Sequence, residues 1–192
     1  MTAPVRGRPR SAEAEQAIRE AAAELLSERG IGGFSVEAVA ARAGVAKTTV
    51  YRRWPTREEL LVAVVSGLKA PAEAAPGDSV RGDLLHFLRS TAYEDRSGRW
   101  TRLMNRLLVD ADEYPELVAD VWRQSVRPRR EYLAGILRRA VAEGLVRPGA
   151  DLDLLVDLLI SPVTSRIRLR RGRLSDDQLA ELVDTVLRGA AP

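Results

Sequence analysis

Hydrophobic residues recur along this chain at spacings of three and four and never alternate over the length of a strand, so the pattern predicts helices from end to end. The first is expected over residues 11–29, where Ala14, Ile18, Ala21, Ala22, Leu25 and Leu26 share a face, Ser11 serves as N-cap, Glu13 and Glu15 complement the positive helix end, and Gly30 closes it. Ser35 caps a second, short helix whose inward face is Val36, Val39, Ala40 and Ala43. Gly44 ends it by taking a left-handed conformation that residues with a Cβ enter only at a cost. Val45 and Val50 plug a third helix into the second, and Pro55 stops it. Thr56 and Glu59 have the spacing of a capping box and open a fourth helix, running to about residue 73, with Leu60, Leu61, Val64 and Leu68 inward.

The turn cluster Ala75-Pro76-Gly77-Asp78 marks a boundary. Beyond it, helical spacing resumes over 80–94, 100–110, from Pro115 through Trp122, over 132–143, and over 152–171 and 176–188. Pro128 and Pro162 each remove a backbone donor inside such a pattern; Pro128 is expected to kink or split its helix, and Pro162 to kink its own. Ser175 and Gln178 make a second capping box. The helix over 152–171 begins with Leu154, Leu155, Leu158, Leu159 and Ile160, which make it apolar almost all round, so something must cover it.

Charge sharpens this picture. The chain has 192 residues and a net charge of +3. Residues 1–70 hold 11 basic against 8 acidic side chains and the remainder is balanced, so the whole positive excess lies with the first four helices. Between residues 42 and 57 stand Arg42, Lys47, Arg52, Arg53 and Arg57 without one acid. A charge run by itself reads as a solvated face, but here it surrounds two short helices joined by a glycine turn, which reads as a helix-turn-helix facing phosphates. A basic flexible arm is expected over 1–10, with Arg6 and Arg8 suited to a narrow minor groove.

The catalytic inventory is thin. There is no cysteine and a single histidine, His86, which excludes a Cys–His pair and a histidine-rich metal cluster. No nucleophile elbow or glycine-rich phosphate loop occurs, and Asp110, Asp112 and Glu113 read as solvated loop before Pro115. No metal, cofactor or catalytic residue is therefore expected. No apolar run approaches the roughly 20 residues of a membrane span, and a soluble, cytoplasmic protein is expected.

The stretch AVAARAGVAKTTVYRRWPTREEL resembles the tetracycline-repressor (TetR) family of bacterial one-component regulators. The likeness lies in the order of its parts: Ala-x-x-Ala-Gly-Val, then Thr49, Val50 and Tyr51, then the aromatic Trp54 and a capped basic helix start. Ala46 stands where a capping serine is frequent, while Arg53 and Trp54 preserve the cation and the bulk of the family pattern.

The resemblance implies an all-α protein, with a three-helix DNA-binding domain over 11–55, a connecting helix over 56–74, and a helical effector-binding and dimerisation domain over 79–192. Residues 46–54 would enter the major groove of a near-palindromic operator in double-stranded DNA. Lys47, Thr48 and Arg52 would then reach base edges, with Thr49, Tyr51, Arg53 and Arg57 on phosphates. A homodimer would form through Leu155, Leu159, Leu179, Leu182, Val183 and Val186 of the last two helices. A small hydrophobic effector would sit among residues 80–143, near His86, Tyr93, Trp100, Met104, Trp122 and Tyr132. The expected function is a sequence-specific transcriptional regulator, a repressor released by its effector, and not an enzyme. Two alternatives remain open at this point: a DNA-binding protein that needs no ligand, and an all-α carrier or enzyme whose turnover would depend on His86.

Overall fold

The computed structural model describes residues 9–67, 77–93, 99–169 and 171–192, and every regular element among them is helical. They run in the order α1 (Pro9–Arg29), α2 (Val36–Ala43), α3 (Lys47–Tyr51), α4 (Arg57–Gly67), α5 (Val80–Tyr93), α6 (Arg99–Val109), α7 (Pro115–Val121), a π-helical turn (Trp122–Val126), α8 (Arg127–Ala142), α9 (Leu152–Arg168) and α10 (Asp176–Ala190). The chain divides into two compact units. One comprises the residues up to Gly67 together with Leu103–Asp120, the other Leu68–Arg102 with Val121–Pro192.

In the first unit α1 packs on α2 and α4, and α2 on α3. Ile18, Leu25, Leu26, Ile31, Val39, Val50, Leu60 and Leu61 are fully buried. Trp54 is buried beneath the Arg19 guanidinium, 5.5 Å from its ring, and so belongs to the core. Helix α1 starts at Pro9, two residues earlier than its pattern suggests, so Ser11 lies inside the helix and is not its cap. Proline suits a first helical position, where an N–H has no acceptor. The Thr56 hydroxyl accepts from the Glu59 N–H at 3.1 Å. The expected continuation of α4 to residue 73, with Leu68, lies outside the described residues.

In the second unit α5, α8, α9 and α10 enclose one core, to which α5 gives Leu84, Phe87 and Leu88, α8 gives Leu133 and Leu137, α9 gives Leu155, Leu159 and Val163, and α10 gives Leu179 and Val183. The two prolines act differently. Pro128 cannot donate to residue 124, and just upstream the helix widens so that the Arg127 N–H reaches the Trp122 carbonyl, five residues back. Helix α9 runs unbroken through Pro162, two residues before Thr164, whose hydroxyl donates to the Ile160 carbonyl at 3.1 Å. The Ser175–Gln178 capping box is formed in both directions. No helix among the described residues is long and apolar enough to cross a membrane, and none of their acidic or histidine side chains cluster as a metal site would require.

Candidate nucleic-acid interface

The sequence builds the α2–α3 corner step by step. Ser35 is extended, and its Oγ accepts from the Ala38 N–H at 3.1 Å, which starts α2. At the other end Gly44 has φ +66°, letting its own N–H reach the Ala41 carbonyl (3.3 Å) and the Val45 N–H reach the Ala40 carbonyl (3.0 Å). This pair of bonds is a Schellman closure, and it delivers the chain directly into α3. Ala46 occupies the N-cap of α3 with extended geometry, φ −67° and ψ 144°, but has no side-chain acceptor to offer. What fixes α3 is therefore burial behind it, by Val50 and the following Trp54. Its outer face carries Lys47, Thr48, Tyr51 and Arg52, all exposed, with Thr49 half-buried at the edge.

Four cations of the basic stretch have partners that a linear reading misses, the first being Arg42, whose guanidinium lies 2.8 Å from the Glu28 carboxylate of α1. Lys47 Nζ lies 3.2 Å from Glu37 Oε1, both side chains being largely exposed. The Glu37 carboxyl is held below its usual range, first by its own backbone N–H and then by Lys47. A pair this exposed is weak and exchangeable, so Lys47 remains available to an acceptor. Arg53 is different: only 16% of its side chain is exposed, and its Nε lies 3.7 Å from Glu15 of α1. Arg57 turns inward as well. Its Nε donates to the Phe34 carbonyl at 2.9 Å, an Nη2 donates to the Ile31 carbonyl, and the guanidinium lies over the Tyr114 ring at 5.8 Å.

The structure thus gathers Lys47, Thr48, Tyr51 and Arg52 on one exposed face, while Arg53 and Arg57, expected on phosphates, turn back toward the protein. The reason is geometric: a long side chain beyond the end of a short helix finds acceptors on α1 and on the turn after it. Arg6 and Arg8 lie outside the described residues. Glu37 was missed because a charge count over residues 42–57 does not see the preceding helix.

The residues expected near an effector have differing surroundings. His86 is half-buried with its Nε2 enclosed and without a hydrogen bond. Tyr93 donates from its hydroxyl to the Leu174 carbonyl at 3.4 Å, and Tyr132 is stacked on Phe87, 6.0 Å between centroids. Trp100 and Met104 are half-buried. Trp122, 47% exposed, lies beside Arg130 and lines an open depression of about 470 Å³ with Arg127, Glu131, Asp153 and Asp157, a polar surface unlike a hydrophobic pocket. Of the six residues expected at a partner subunit, Leu155, Leu159, Leu179, Val183 and Val186 are buried in this subunit's own core and Leu182 is half-buried. On α9 the exposed leucines are Leu154 and Leu158.

With that geometry in hand, comparison with known proteins gives a consistent answer. Residues 18–64 match the family described as bacterial regulatory proteins, tetR family, and residues 74–186 match the tetracyclin repressor-like C-terminal domain. The chain is 31% identical over 195 residues to the DNA-binding transcriptional repressor TetR of Mycobacteroides abscessus, covering 95% of this chain and 94% of that one. It is 33% identical over 164 residues to an uncharacterized HTH-type transcriptional regulator of Mycobacterium tuberculosis, covering 85% and 80% respectively. The crystal structure of the TetR family transcription regulator SCO0332 superimposes with a TM-score of 0.63 at 30% identity, over 94% of this chain and all of that one. The chain belongs to the TetR family of DNA-binding transcriptional regulators, a family of regulators and not of enzymes.

Proposed function

We propose that the protein is a homodimeric cytoplasmic repressor that reads a near-palindromic operator and is released by a small hydrophobic effector. The observation that carries the DNA-reading part is the outer face of α3, where Lys47, Thr48, Tyr51 and Arg52 stand exposed on a helix anchored by Val50 and Trp54. Lys47, Thr48 and Arg52 read base edges; Thr49 and Tyr51 hold phosphates. Arg6 and Arg8 add minor-groove contacts. Two copies of α3 related by a two-fold axis reach half-sites about one helical turn, roughly 34–36 Å, apart or a multiple of it. Leu154 and Leu158, exposed on α9, support a dimer through that helix. The repressor assignment is supported by the related repressor of Mycobacteroides abscessus.

Release is a population shift. An effector bound among residues 80–143 favours a dimer whose two α3 helices no longer match the groove spacing, and it must bind that state better by about 1.4 kcal/mol for each tenfold loss of operator affinity. The test is a mobility shift on genomic fragments, including the region upstream of the protein's own gene, with excess competitor at moderate salt. Tight binding to one near-palindrome is expected, and it supplies the assay for an effector screen. Weak binding abolished by modest salt would sink the reading, because a basic patch without base contacts behaves that way.

A further inference from the structure

The turn between α1 and α2 is held from two sides by residues distant in sequence. From one side comes Arg57, the first residue of α4, donating to the carbonyls of both Ile31 and Phe34. From the other comes the segment after α6, where Asp110 Oδ2 accepts from the Ile31 N–H at 3.2 Å and lies 3.7 Å from Arg106 Nε. Asp110 is largely buried, with 16% of its side chain exposed. Gly30 has φ +70°, and the Arg106 guanidinium occupies the place a Cβ would take there. The clamp closes on itself: the Tyr114 N–H returns to the Asp110 carbonyl at 3.0 Å, and the Arg57 guanidinium lies on the Tyr114 ring. One residue past the clamped turn is Ser35, the N-cap of α2.

We infer that Arg57 and Asp110 are positioning residues for operator binding: together with Tyr114 they fix the turn from which the helix-turn-helix starts, and neither touches DNA. Arg57 supplies two donors to carbonyls that face the inside of the unit, a geometry its planar fork satisfies and a lysine ammonium does not. Asp110 supplies the acceptor for the amide of the same turn. The orientation of α2, and with it of α3, is set by this pair because the turn carries no regular structure of its own between Gly30 and Ser35.

The inference rests on the DNA-binding reading, and the experiment separates the two. The full-length protein and its Arg57→Gln, Arg57→Lys and Asp110→Ala variants are titrated against the duplex that the wild-type protein selects from a random-sequence pool, at several salt concentrations, with circular dichroism and melting recorded for each. Failure of the wild-type protein to select any sequence sinks the DNA-binding reading itself. Given selection, positioning predicts that all three variants lose about tenfold or more in affinity while the slope of log K against log salt stays at the wild-type value, since no phosphate contact is removed. Asp110→Ala is the sharpest case, because deleting an acid makes the unit more positive and simple electrostatics predicts equal or tighter binding. Wild-type affinity in folded Arg57→Lys, with a flatter salt slope in Arg57→Gln, would make Arg57 a phosphate ligand and overturn the inference. Equal or tighter binding by folded Asp110→Ala would overturn it too. Should the variants unfold at the assay temperature, the same titration is made below their melting point, where unaltered affinity likewise refutes it.

Discussion

The buried carboxylate of Asp83 is bonded by the guanidinium of Arg139, which ties the first turn of α5 to the last turns of α8. Asp83 is only 2% exposed and also accepts the Gly77 N–H at 2.9 Å. Burial pushes its carboxyl up, but the bonds from Arg139 and Gly77 outweigh that, and the group titrates below its ordinary range. A folded-state pKa lower than the unfolded one gives stability that is fully present above the unfolded value and is lost as pH falls through the folded value. Asp83→Asn is therefore expected to melt several degrees lower than the natural protein at pH 7, with the gap narrowing as pH is taken below about 4. Melting curves across that range check it; a constant gap would mean that the charge of Asp83 is not what stabilises this unit.

Ala46 holds N-cap geometry without a capping atom. Ala46→Ser supplies the hydroxyl and is expected to stabilise the first unit by about 1 kcal/mol. Denaturant unfolding followed by Trp54 fluorescence reads this out, against a control, Gly44→Ala. There a Cβ meets open space, yet the positive φ alone is expected to cost about 1 kcal/mol.

In the proposed complex Glu37 competes with DNA for Lys47. Glu37→Gln removes a negative charge 3.2 Å from the Lys47 ammonium and is expected to tighten operator binding several-fold at low salt, with the gain shrinking as screening increases. Binding measured at two salt concentrations decides it. An unchanged affinity at low salt would place Lys47 away from the DNA.

Leu154 and Leu158 are 54% and 47% exposed on α9, whereas their neighbour Leu155 is buried. Leu158→Glu is expected to convert a dimer to a folded monomer, seen as a halved mass by light scattering with an unchanged helical spectrum. Leu155→Glu is expected to lose the fold instead, since it buries an unpaired charge. A Leu158→Glu protein that stays dimeric would move the interface off this face.

Helix positions, the Gly44 corner and the core role of Trp54 were legible in the sequence, because periodicity, caps and glycine act locally. Two things were not. Spacing places Leu154, Leu155, Leu158 and Leu159 on one nearly all-apolar helix, and it does not say which flank the subunit's own α5 and α8 will cover. A basic run likewise shows how many cations are present without showing what they reach. Arg57 finds the carbonyls of Ile31 and Phe34 only once α4 has folded back against the end of α1. The likeness to a family pattern at the sequence level could not supply that contact, because it depends on where the chain returns.

The first unit is assembled from two separate lengths of chain, one ending at Gly67 and one running from Leu103 to Asp120. On the ribosome, where synthesis proceeds at about 5–20 residues per second, the helix-turn-helix emerges some seconds before Asp110 and Tyr114 do. For that interval the Ile31 amide has no acceptor from Asp110, and α3 is held without the clamp. A fragment cut after Gly67 stays in this state permanently. Such a fragment keeps every residue proposed to face DNA and is still expected to be a poor operator binder, so a DNA-binding module transplanted from this protein is expected to need residues 103–120 with it.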